Sequence, residues 1–153
     1  MQRLQSSPTL QSSIVKKMNN ARSISNRELF SIVRDTLLEG NTVRVTVKGE
    51  SMLPFFRSGS TITLRPVRKE DIRKYGVVMA DAGHAFVVHR IIDINGDSIT
   101  LFGDGNIRGT ECVSRDKIYG VVDCSALHIF FAKIWLWLRP VRRYPLAIFR
   151  RVM

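Results

Sequence analysis

The sequence lacks the long apolar run that a membrane-spanning helix needs. No segment reaches about 18 uninterrupted apolar residues. Residues 1–20 are polar, rich in Ser and Gln, and contain no apolar core of a secretory signal. We therefore predict neither a transmembrane anchor nor an export signal.

Cysteine is also scarce. Cys112 and Cys124 are the only two in 153 residues, which is too few for a disulfide scaffold, and their spacing matches no common zinc site. We expect both to be unpaired structural residues. The sequence predicts no metal and no cofactor.

Acidic residues are outnumbered, with 13 Asp and Glu against 24 Lys and Arg, and none follows Asp123. The basic residues beyond that point are Lys133, Arg139, Arg142, Arg143, Arg150 and Arg151. Such a surplus indicates an anionic partner, which could be nucleic acid, acidic lipid headgroups or an acidic protein.

Periodicity predicts a mainly β domain. A capping-box pattern at Ser25 and Glu28 and a stop at Gly40 predict a short amphipathic helix over residues 25–40. Residues 42–48 alternate as a half-buried strand does. Strand-like runs follow at 61–65, 76–80, 85–92, 98–102 and 118–122, separated by turn signals such as Asn95-Gly96. We predict a partly closed antiparallel β domain over residues 25–123, after a flexible lead-in at 1–24.

The remaining residues, 124–153, form a basic tail in which aromatic residues crowd together. This composition is typical of a helix that lies on a membrane surface. The alternative is that the helix folds back onto the β domain. We expect a membrane rather than nucleic acid as partner, with the protein peripheral on the cytoplasmic side; a cytoplasmic location is the alternative.

One serine stands where a nucleophile could work. Gly49-Glu50-Ser51-Met52-Leu53-Pro54 directly follows the first strand, and a turn at a strand end can hold a hydroxyl rigidly beside backbone N–H groups. An isolated loop serine would be an ordinary solvated residue. The strand at 85–92 carries His89, whose imidazole titrates near neutrality and can act as a general base.

Four sequence boxes in order extend this observation. They are Gly49 to Pro54, Tyr75-Gly76-Val77-Val78-Met79, Val87-Val88-His89-Arg90-Ile91-Ile92 and Gly103-Asp104-Gly105-Asn106. Over about residues 42–123 the chain resembles type I signal peptidases and the related self-cleaving SOS repressors. Its histidine box is similar to that of the endoplasmic-reticulum and archaeal signal peptidases.

This resemblance implies a role for each matching residue. Ser51 would be the nucleophile and His89 the base. A third group should orient the base; Asp104 is the first candidate and Glu111 the runner-up. Gly49 replaces a serine found in many signal peptidases, so the oxyanion hole would use backbone N–H groups. The substrate site would be lined by Met52, Val77 and Met79.

The predicted function is that of a serine endopeptidase that removes a signal or leader peptide through an acyl-enzyme. One alternative is a self-cleaving repressor-type regulator, although only about 40 residues with one helix precede the core. Another is a catalytically inactive module that binds membranes or nucleic acid. His84 and His128 are expected to be ordinary surface residues.

Overall fold

A computed structural model describes residues 26–106 and 109–138. It contains two helices, α1 (Asn26–Leu38) and α2 (Ala126–Trp137). Between them lie seven strands: β1 (Val43–Thr46), β2 (Thr61–Pro66), β3 (Val77–Asp81), β4 (Phe86–Asn95), β5 (Ser98–Phe102), β6 (Glu111–Ser114) and β7 (Ile118–Val122).

The seven strands form one sheet in the order β1-β2-β7-β3-β4-β5-β6. Every neighbouring pair is antiparallel. The predicted mainly antiparallel β domain with a short N-terminal helix is confirmed. Among the described strands the sheet is open, with β1 and β6 at its edges, rather than closed by hydrogen bonds.

The central strand β3 is buried on both faces, because successive strand residues point to opposite sides of a sheet. Val77 and Met79 join a core cluster that includes Val33 and Leu37 of α1. The next residues along β3, Val78 and Ala80, join a second cluster with β4, β5 and β7. Helix α1 therefore covers one face of the sheet.

Most strand predictions agree with the structure. Strands β5 and β7 have the predicted bounds, whereas β4 extends three residues further, to Asn95. Gly96 has φ 59°, and Asn95 pairs with Ser98, which confirms the predicted hairpin. Strand β6 was not predicted.

The predicted end of the N-terminal helix and the predicted state of the cysteines agree with the structure. Gly40, at φ 87°, follows the end of α1 as a left-handed stop. The predicted cap at Ser25, the lead-in 1–24 and residues 139–153 lie outside the described residues. Cys112 and Cys124 are both unpaired, as expected.

Candidate active site

Ser51 lies in a tight turn that begins after β1. The N–H of Leu53 donates to the carbonyl of Glu50 at 3.1 Å, and the N–H of Phe56 donates to that of Met52 at 3.0 Å. Ser51 itself is half-buried. These hydrogen bonds fix the backbone while leaving the serine accessible, as a nucleophile requires.

The box Gly103-Asp104-Gly105-Asn106 packs directly against this turn. The N–H of Gly105 donates to the carbonyl of Ser51 at 2.7 Å. A Cβ at Gly105 would lie 2.1 Å from the carbonyl oxygen of Glu50, and one at Gly103 would lie 2.5 Å from that of Ser51. Glycine is needed at both positions because the backbone of this box is in direct contact with the backbone of Glu50 and Ser51.

His89 of β4 is paired with Glu111 at the start of β6. Its Nδ1 lies 2.9 Å from Oε2 of Glu111, and the two side chains are 6% and 19% exposed. Leu101 of β5 pairs with both Ile91 and Glu111, so Glu111 lies across from Ile91. His89 is two residues from Ile91 and points to the same face of the sheet. When Nδ1–H donates to the carboxylate, Nε2 keeps a lone pair that can accept a proton.

Asp104 does not orient the histidine, and that prediction is wrong. Its carboxylate accepts from Arg90 Nε at 2.8 Å and from Nη2 at 2.6 Å, and both side chains are fully buried. Arg90 follows His89 in the strand, so the two side chains point to opposite faces. A guanidinium buried there requires a carboxylate partner. Glu111, the runner-up, is the acid in contact with His89.

Helix α2 closes over the buried Arg90–Asp104 pair. His128 stacks on Phe55, with ring centroids 4.9 Å apart, and its Nε2 lies 3.2 Å from Arg90 Nη2. Burial and the charge of Arg90 lower the pKa of His128. Trp135 Nε1 donates to the carbonyl of Asp104 at 2.8 Å. The prediction that His128 is an ordinary surface residue is therefore wrong.

A pocket of about 350 Å³ opens beside the turn, and both Ser51 and His89 line it. In the described part of the chain the ring of His89 is hydrogen-bonded through Nδ1 to Glu111, and not through Nε2 to Ser51. Catalytic hydrogen bonds are often long in free enzymes and tighten only when substrate binds. Of the predicted lining, Met52 borders this pocket.

Val77 and Met79 do not line the pocket, so that prediction is corrected. Both are fully buried in the core beneath α1. The apolar walls come instead from α1, β1 and β4, through Leu29, Phe30, Val33, Val45, Phe86 and Val88. The helix periodicity in the sequence marked Leu29 and Val33 as packing residues, and nothing in it indicated that they also border a cavity.

Basic residues stand among the pocket's lining. Arg27, Lys48 and His84 belong to it, and all three are exposed; His84 is a surface residue, as expected. None of the described lining residues is acidic. The pocket therefore favours apolar groups at its walls and disfavours positive charge.

Within residues 26–106 and 109–138, no group of three or more His, Cys, Asp or Glu side chains could hold a metal ion. None of the helices in those ranges is long and apolar enough to cross a bilayer.

Comparison with known proteins supports the sequence resemblance at the level of the superfamily that unites self-cleaving repressors and signal peptidases. A family model described as Peptidase S24-like matches residues 15–122, well over half of the chain. A search of curated proteins found no match. The matched range includes Ser51, His89 and Glu111.

Proposed function

The chain belongs to the Peptidase S24-like family of serine peptidases, and we propose that it is an endopeptidase that removes a signal or leader peptide. Ser51 is the nucleophile, His89 the general base and Glu111 the group that orients the base. One observation carries this proposal: the 2.9 Å contact between His89 Nδ1 and Glu111, in a histidine that shares a pocket with Ser51.

The chemistry follows from this arrangement. Ser51 Oγ attacks the carbonyl carbon of the scissile peptide bond while Nε2 of His89 takes the hydroxyl proton. The tetrahedral intermediate collapses when His89 gives that proton to the leaving amine, which breaks the C–N bond and leaves an ester on Ser51. Water, deprotonated by His89, then hydrolyses the ester and restores the serine. Glu111 stabilises the imidazolium in both steps.

The developing oxyanion needs backbone donors. Among the described residues, the N–H of Ser51 donates to no backbone carbonyl, so it remains available to a substrate. The carbonyl of Glu50 shares a peptide unit with this N–H and accepts from the N–H of Leu53 at 3.1 Å, so the peptide unit that carries the donor is held in one orientation. Such preorganised donors are worth about 2.7–4 kcal/mol of transition-state stabilisation in other proteases.

The pocket and the sheet edge support an extended, apolar substrate. Strand β1 lies at the edge of the sheet, and residues 45–48 border the pocket. A peptide that pairs with this edge would place alternate side chains toward Phe30 and Phe86. Signal and leader peptides contain such apolar segments, whereas a basic residue in the pocket would face Arg27 and Lys48.

The proposal is tested by cutting a peptide library with the purified protein and reading the new termini by mass spectrometry. We expect cleavage next to apolar side chains, loss of cleavage in Ser51→Ala, and full cleavage in the control Ser98→Ala, an exposed serine on β5. Ser51→Ala cleaving as fast as the native chain would exclude the proposed nucleophile and favour the inactive-module alternative.

The self-cleaving alternative is distinguished by the same protein without substrate. A regulator of that kind would be clipped upstream of Thr42 on incubation alone, at a rate independent of protein concentration. The proposed peptidase instead keeps its intact mass while it cuts peptides.

A further inference from the structure

Helix α2 has two faces with opposite environments. The inner face packs on the domain through His128, Ala132 and Trp135, and Ala132 is fully buried. The outer face carries large apolar side chains that are 40–80% exposed. These residues, here called the outer face, are Leu127, Phe130, Phe131, Ile134 and Trp137.

The outer face is contiguous because its members recur three or four residues apart along the helix. Phe130 and Phe131 make an edge-on contact with centroids 5.7 Å apart, and Trp137, at 80%, is the most exposed. Apolar patches of this kind on a folded domain mark an interaction site. The helix cannot bury the patch by rotating, since Trp135 is hydrogen-bonded to the carbonyl of Asp104.

We propose that the outer face of α2 docks on the surface of an anionic lipid bilayer. Charge selects this partner: no acidic residue follows Asp123, whereas six Lys and Arg do. Basic side chains are attracted to the surface of an anionic leaflet. A helix of 12 residues is about 18 Å long, so it lies along the interface and does not cross it. Trp and Phe are side chains that favour the interface between membrane and water.

Docking on this face would also position the active site. The inner face contacts Arg90 and Asp104, and Asp104 lies between the two glycines that support the nucleophile turn. A short rigid path therefore joins the bilayer surface to Ser51. Resting on the proposed function, this places the peptidase where an apolar leader would be held by the membrane.

The test is sedimentation with vesicles of phosphatidylcholine and phosphatidylglycerol at 3:1, compared with pure phosphatidylcholine. The variant Phe130→Ser/Phe131→Ser/Trp137→Ser should bind the anionic vesicles at least tenfold more weakly. The matched control is Ile32→Ser/Leu38→Ser, which removes exposed apolar residues of α1 (51% and 68% exposed) and should bind as the native chain does. Circular dichroism and an unchanged unfolding midpoint establish that the triple variant is folded.

Three results would overturn the proposal. They are equal binding by the triple variant, equal binding to neutral vesicles, and a concentration-dependent dimer that forms without lipid and is abolished by the triple substitution. The same variants distinguish a failure of this proposal from a failure of the proposed function. Ser51→Ala should lose cleavage and still bind vesicles, whereas the triple variant should lose vesicle binding and still cut a soluble peptide at the native rate.

Discussion

Replacing Asp104 by Asn removes the negative charge from the best-buried ion pair in the described structure while keeping the side chain's shape. Arg90 and Asp104 are both 0% exposed. Asp104 accepts three hydrogen bonds from the guanidinium. The amide oxygen of Asn can still accept from the guanidinium, but no negative charge then faces it. The other contacts of Arg90 are the carbonyl of Tyr75 at 2.7 Å, the edge of His128 and the face of Phe55.

The magnitude follows from that burial. A buried charge that loses its partner costs about 3–5 kcal/mol, against a total stability of about 5–15 kcal/mol for a domain of this size. The melting temperature should fall by roughly 10–20 °C. Replacing both partners with apolar residues, as Arg90→Met/Asp104→Leu, should recover most of the loss because no charge is then left buried.

The assay is urea unfolding followed by circular dichroism, with peptide cleavage measured at a temperature where each variant is folded. We expect Asp104→Asn to lose stability and retain a large part of its activity. A native unfolding midpoint, together with a loss of activity as large as that of Glu111→Gln, would refute this reasoning and return Asp104 to the role of orienting the histidine.

Three further predictions concern neighbouring residues. Glu111→Gln should lower kcat by about 10²- to 10⁴-fold with an unchanged unfolding midpoint, because it spoils the orientation of His89; a loss below tenfold in a steady-state assay would contradict its role. Gly105→Ala should abolish cleavage and lower the melting temperature, because a Cβ 2.1 Å from the carbonyl oxygen of Glu50 forces the nucleophile turn to move. The control is Gly96→Ala, outside the pocket lining, where φ is 59° and the space around the Cβ is open: it should lose stability through backbone strain and keep its activity. Native activity in Gly105→Ala would be inconsistent with the contact. The pKa of His128 is lowered in the folded protein, so the unfolded chain binds a proton there more readily. The free energy of unfolding should therefore fall as the pH drops below about 6.5. Urea titrations of His128→Phe should lack this part of the pH dependence, and a pH profile identical to that of the native chain would contradict the prediction.

The sequence predicted the strands well because alternation marks a half-buried strand directly, as in Val43 to Lys48. It missed β6 because that strand has four residues and only Val113 among them is buried. Missing β6 also hid the register that brings Glu111 beside His89. The order of the boxes indicated that Asp104 lay near the site, but side-chain partners depend on which face each residue points to.

The C-terminal tail shows that composition alone does not determine which partner an apolar helix packs against. Its composition favoured a membrane-surface helix over fold-back packing, and the structure places one face of α2 on the domain through His128 and Trp135. Composition could not separate these outcomes because both need an apolar helix. The spacing of residues along the helix decides which side chains remain exposed, and the membrane assignment of those side chains stays a prediction.

The most direct test of the central claim is to trap the acyl-enzyme with an activated ester of an apolar N-acyl amino acid and locate the adduct by mass spectrometry. We predict a single acyl group on Ser51, absent in Ser51→Ala and formed much more slowly in His89→Ala. An adduct on another residue, or equal acylation rates with and without His89, would contradict the assignment of Ser51 and His89 as nucleophile and base.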